Sequence, residues 1–247
     1  MIPLRDNIPN IKPSYGMWVI ISVNTAIFIL MLSLSHRELL MMTHVFGMIP
    51  ARVTDPAWAL EIGYAPNWFI TLGTHMFLHA GFLHFFLNMW MLWIFGDNVE
   101  DVMGTVRFLI FYLLCGLGAV LFHLLFNLNS TIPVIGASGA IAGIMGAYLL
   151  LYPHARVVAF IPIFFIPYFF EVPAVVFLGI WILIQVISGV TAAIQHEGAQ
   201  GIAWWAHIGG FVAGMAMIRL FQKRGACIHC TSLEQWFKDH SYSRRGS

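Results

Sequence analysis

Five long stretches of the chain contain no Asp, Glu, Lys or Arg: residues 13–36, 62–96, 108–155, 172–196 and 198–218. Each can hold at least one helix of about 20 residues, the length that crosses the roughly 30 Å hydrocarbon core of a bilayer. The longest must hold two, because a polar, turn-rich run with Asn127, Asn129, Ser130, Thr131 and Pro133 divides it. Composition agrees, since 60% of the residues are apolar and 9% charged, against about 25% charged in a soluble domain. That excludes a water-soluble globule and intrinsic disorder, and three cysteines do not make a disulfide scaffold. Nucleic-acid binding by charge is excluded as well, because 12 Lys+Arg are offset by 11 Asp+Glu.

The pattern predicts an all-α polytopic bundle of six transmembrane helices over residues 17–34, 82–102, 105–126, 138–152, 172–194 and 204–221. None of these runs alternates in polarity as a barrel strand does. Residues 1–16 read as a short N-terminal segment before an uncleaved first span, because 17–34 is longer than a signal-peptide core and no small-residue cleavage site follows. The positive-inside rule orients the bundle. With the N-terminus cytosolic, Arg5, Lys12, Arg107, Arg156, Arg219, Lys223, Arg224, Lys238, Arg244 and Arg245 lie inside, and only Arg37 and Arg52 outside. Both termini are then cytosolic, with a membrane domain over 17–222 and a tail over 223–247. Residues 36–81 form a long external loop whose Trp58, Trp68 and Phe69 suit the lipid interface.

Polar side chains inside spans are expensive and mark function or inter-helix contacts. The set is small: His75, His79, His84 and Asn88 entering the second helix, His123 in the third, Ser138 opening the fourth and His207 in the sixth. The fourth helix spans roughly 22 Å at about 1.5 Å per residue, about 8 Å short of the core. Ser138 therefore starts below the outer surface, after irregular backbone that protein or a water-filled cavity must surround. His207 and Asn88 fall in the same layer. Ala142 and Gly146 continue the Ser138 face at i+4 and i+8, and Gly210 and Gly214 the His207 face at i+3 and i+7. Small residues at those spacings let two helix backbones approach closely enough for a serine hydroxyl to reach an imidazole.

The chemistry to which this points is nucleophilic acyl transfer, with His207 as the base for Ser138. His84 and Asn88, four residues apart on one face, and the Ser138 backbone N–H at a helix N-terminus can serve as oxyanion donors. No carboxylate lies at that depth, apart from Glu197 in the loop before the sixth helix, so a two-residue dyad is expected. Each residue alone also has a plainer reading. Serine is a preferred N-cap, and His207 and Asn88 each suit an inter-helix hydrogen bond.

Taken together, Gly136–Ala137–Ser138–Gly139, Ala206–His207–Ile208–Gly209–Gly210 with Gly214, and the run from His79 through His84 to Asn88 resemble the rhomboid intramembrane serine proteases. The resemblance covers roughly residues 71–221, with each motif on its own helix. It implies a nucleophile at Ser138, a general base at His207, and oxyanion stabilisation by His84, Asn88 and the Ser138 amide. Gly136, Gly139, Ala142, Gly210 and Gly214 would pack the site. It further implies a multi-pass protein of a prokaryotic inner membrane with its site opening to the external face, no cofactor, and another membrane protein as substrate. The loop 194–203 would cap the site and the fifth helix would be a lateral gate. Some relatives carry an aromatic ring four residues after the nucleophile, where this chain has Ala142, leaving Trp204, Trp205 or Phe211 to support His207. A non-catalytic relative that only binds membrane proteins is the alternative, and it is expected to lack the nucleophile or the base.

The remaining motifs point elsewhere or nowhere. His75 and His79 lack the Glu of a His-Glu-x-x-His metalloprotease helix, so no metal is expected, and His79 reads as a loop-positioning residue. Cys227–Ile228–His229–Cys230, with His240 beyond, is too short a pattern to establish a zinc site. No internal repeat supports a transporter of two related halves.

Overall fold

The apolar runs form helices close to where their lengths put them. The computed structural model describes residues 2–163, 166–195 and 202–223. Helix α1 (Tyr15–Leu32) is followed by four short helices, α2 (His36–Phe46), α3 (Pro50–Thr54), α4 (Pro56–Glu61) and α5 (Thr71–Thr74). Then come α6 (Phe82–Met103), α7 (Thr105–Phe126), α8 (Ser138–Leu151), α9 (Ala174–Ile194) and α10 (Trp204–Phe221). The expected external loop is thus largely helical. Helix α2 opens with a capping box in which Ser35 and Glu38 satisfy each other's backbone N–H groups.

Each expected helix is present, but among the described residues length and apolarity alone qualify only α1, α7 and α9 to cross a membrane. A fourth span results if residues 68–77 and α6, bent by 81° from one another, are taken as one. The others fall short for physical reasons. Helix α6 carries Asp97, Glu100 and Asp101 near its end, α8 has 14 residues, and α10 carries His207 and Arg219.

The fold is also not purely helical. Strands β1 (Ile2–Asp6), β2 (Arg156–Ile163) and β3 (Ile166–Pro173) form an antiparallel sheet in the order β1-β2-β3, with Ile2 opposite Phe160 and Arg156 opposite Pro173. Pro162, Pro167 and Pro173 explain why this apolar segment is no helix: each lacks the N–H that an interior helical position donates. The neighbouring Val157 and Val158 favour a strand.

Helix α8 is the centre of the molecule, buried almost throughout and surrounded by α6, α7, α9 and α10. Its core neighbours include Phe95, Phe108, Phe111 and Tyr112. One buried carboxylate fixes α1 against this core. Glu100 accepts the N–H groups of Gly16 and Met17, both at 2.8 Å, and the Thr105 hydroxyl at 2.7 Å. An anion at a helix N-terminus contributes about 0.3–2 kcal/mol, with partial burial favouring the upper end.

Candidate active site

Ser138 is the first residue of α8, and backbone from the segment between α1 and α6 holds the irregular segment that leads to it. Met48 and Val134 exchange N–H···O bonds of 3.0 and 2.7 Å, Ala51 N–H donates to the Ser130 carbonyl at 2.9 Å, and Gly136 N–H donates to the His75 carbonyl at 2.9 Å. Non-helical backbone needs such partners wherever water is absent. The turn into α8 requires glycine at 136. Its φ is 124°, and an added Cβ would sit 2.8 Å from both Cε1 and Nε2 of His84.

His207 lies in the first turn of α10, and α8 and α10 meet at backbone contact. A Cβ on Gly210 would sit 1.9 Å from the Gly139 carbonyl oxygen, one on Gly214 1.8 Å from that of Gly143, and one on Gly146 2.2 Å from that of Phe211. The seam on α8 is thus Gly139, Gly143 and Gly146, which shares Gly146 with the Ser138–Ala142–Gly146 face and replaces Ala142 by Gly143. Ala142 is fully buried in the core, and Gly143 takes the place expected for it. At this helix separation His207 Nε2 lies 2.8 Å from Ser138 Oγ.

The other side of the imidazole meets a residue that sequence reasoning passed over. His207 Nδ1 lies 2.7 Å from Oε1 of Gln185 in α9. The available signal was that Gln185 is the one amide side chain in α9, whose other polar side chains are the small hydroxyls of Ser188 and Thr191. Trp181 lies beside the ring at 5.8 Å between centroids, and Trp204 meets it edge-on at 6.3 Å. Of the other aromatic candidates, Trp205 stacks on Phe126 at 3.9 Å and Phe211 packs on Trp181.

Ser138 and His207 open onto a cavity of about 750 Å³ whose walls also include His84, Asn88, Trp181 and Met145. His84 Nδ1 accepts the Ala80 N–H at 3.3 Å. That bond leaves the ring proton on Nε2, the form that donates into the cavity. Asn88 spends one N–H on the His84 carbonyl at 2.8 Å and retains the other.

The remaining histidines diverge. His75 bonds the Thr71 carbonyl at 2.8 Å through Nδ1, and its own carbonyl holds Gly136. His79 is buried against the rings of Phe28, Phe85 and His84, tying its loop to α1 and α6. His123 is buried on the cavity wall with neither ring nitrogen hydrogen-bonded among the described residues. Glu197, Cys227, His229, Cys230 and His240 lie outside the described residues, as does most of the expected cap, though Ile202 and Ala203 line the cavity.

Comparison with known sequences adds an independent observation: the family model described as Rhomboid domain matches residues 66–224. The chain belongs to the rhomboid family. It is 31% identical over 145 residues to rhomboid protein 1, mitochondrial, of Saccharomyces cerevisiae, covering 56% of this chain and 38% of the yeast protein. It is 30% identical over 171 residues to RHOMBOID-like protein 12, mitochondrial, of Arabidopsis thaliana, covering 62% and 47%. Over 76 residues it is 41% identical to rhomboid protease GluP of Bacillus subtilis, covering 31% and 14%. The chain therefore spans less than half the length of each of these curated relatives. Rhomboid membership makes the chain a membrane protein with a polytopic helical bundle, in a family that includes serine proteases. The matched residues hold all three motifs and the cavity they line.

Proposed function

We propose that this rhomboid is an intramembrane serine endopeptidase that cleaves transmembrane segments of other membrane proteins near the outer boundary of the bilayer. The observation that carries the reading is the 2.8 Å contact between Ser138 Oγ and His207 Nε2 in the wall of a cavity large enough for an extended peptide. His207 takes the hydroxyl proton as Oγ attacks the scissile carbonyl carbon. The resulting oxyanion accepts from His84 Nε2–H, the free N–H of Asn88 and the Ser138 backbone N–H at the start of α8. Nε2 then returns its proton to the leaving amine. Water, deprotonated by the same nitrogen, hydrolyses the acyl-enzyme and releases Ser138.

In this reading six helices span a plasma (inner) membrane, residues 1–16 and 223–247 are cytosolic, and the cavity faces the external side. Protein of this sequence, purified in detergent and incubated with a single-span substrate, is expected to cleave it. Ser138→Ala and His207→Ala are each expected to abolish cleavage. Equal cleavage by both variants would overturn the reading, and a wild-type protein that binds substrate without cutting it would make the chain a non-catalytic relative.

A further inference from the structure

We propose that Gln185 is the positioning residue of the general base, so that Ser138, His207 and Gln185 form one directional hydrogen-bond chain with a neutral third member. This rests on the assignment of Ser138 and His207 above and extends it. The orientation of the Gln185 amide follows from its two partners. One end lies 3.2 Å from the Trp181 carbonyl, four residues earlier on α9. A carbonyl only accepts, so that end is the NH2 group, and Oε1 faces His207 Nδ1 at 2.7 Å. Oε1 also only accepts, so Nδ1 carries the ring proton. The lone pair then sits on Nε2, 2.8 Å from Ser138 Oγ, where it can receive the hydroxyl proton. Reversing any one link would set acceptor against acceptor.

The proton balance needs no charge on Gln185. The Ser138 proton moves to Nε2, the Nδ1 proton stays in place, and the imidazolium donates a charge-assisted bond to Oε1. When Nε2 passes its proton to the leaving amine, the ring and the amide return to their starting forms. A carboxylate at 185 would also accept from Nδ1, but its second oxygen would face the Trp181 carbonyl with no proton between them and an ionised group would have to be buried, which is costly away from water. Gln185 is only 5% exposed and stands behind His207 rather than in the cavity wall, which Trp181 occupies. Its loss should therefore change the base without changing the surface that binds substrate.

The test uses the full chain in detergent with Gln185→Met, which keeps the volume and removes the acceptor, and Gln185→Glu, which keeps an acceptor. Gln185→Met is expected to lower kcat by about 10²-fold, within the range of general-base effects, with KM unchanged within about twofold. Gln185→Glu is expected to retain activity within about tenfold. ¹⁵N spectra of histidine-labelled protein should show His207 with Nδ1 protonated in the wild type and as a tautomer mixture in Gln185→Met. A folded Gln185→Met protein with wild-type kcat overturns the proposal. So does a wild-type spectrum with the proton on Nε2, which decides the matter even if Gln185→Met fails to fold. Cleavage that survives Ser138→Ala overturns the nucleophile assignment instead, and leaves the wild-type His207 tautomer untouched.

Discussion

Replacing Gly210 by alanine is expected to silence the site without touching any group that does chemistry. The added Cβ would sit 1.9 Å from the Gly139 carbonyl oxygen, whereas ordinary contact begins at 3.4 Å. Helices α8 and α10 must therefore separate by about 1.5 Å at this level. Gly139 follows Ser138 directly and Gly210 is three residues from His207, so most of that displacement reaches the pair. An Oγ–Nε2 distance of 2.8 Å then grows to about 4 Å, beyond any hydrogen bond. Loss of base assistance costs about 10²–10⁴ in rate, and overpacking of this kind costs about 1–3 kcal/mol of stability. The assay is cleavage of a single-span substrate together with the rate of fluorophosphonate labelling, read beside the thermal midpoint. Gly179→Ala, where a Cβ meets nothing within 4 Å, is the control and should behave as wild type. A folded Gly210→Ala protein that is labelled and cleaves at the wild-type rate would refute the argument that backbone contact sets the dyad.

Two further outcomes are expected. Asn88→Ala should lower kcat by about 10²–10³, the cost of one oxyanion donor, with the thermal midpoint little changed; an unaltered kcat would remove Asn88 from the site. Burial raises the Asp6 carboxyl from 3.8 to about 6, although the Tyr148 hydroxyl donates to it and favours its ionised form. The folded protein therefore holds this proton more tightly than the unfolded chain. Stability should fall as pH rises from about 4 to 6 and carry a penalty of about 3 kcal/mol above that. Asp6→Asn should flatten the slope, melting above the wild type at pH 7.5 and level with it at pH 4; equal midpoints at both values would contradict it.

How much of this was legible in the sequence depends on whether the signal was local. The apolar runs and their polar breaks placed every long helix within a few residues, because hydropathy and glycine or proline punctuation act over a single element. Ser138, His207, His84 and Asn88 were legible for a related reason: polar groups are rare in such helices, and their spacings put them in one layer. The sheet was not legible, since it pairs Ile2 with Phe160 and Asp6 with Val157, and no local pattern carries a pairing between segments so far apart in the chain. Of the expected packing residues Gly139, Gly146, Gly210 and Gly214 lie at the α8–α10 contact and only Ala142 does not, because i+4 steps from Ser138 extrapolate one face while the contact follows the crossing of the two helices and takes Gly143. Gln185 escaped notice because a lone amide gains meaning only from what faces it across 22 residues of chain.

The central claim is that His207 activates Ser138, and adduct mapping on the intact protein tests it most directly. Wild-type protein is treated with a fluorophosphonate, digested and sequenced by mass spectrometry, beside His207→Ala. The expected result is a single adduct on Ser138 in the wild type and none in His207→Ala. No adduct on Ser138, or equal labelling of it without His207, would contradict the account.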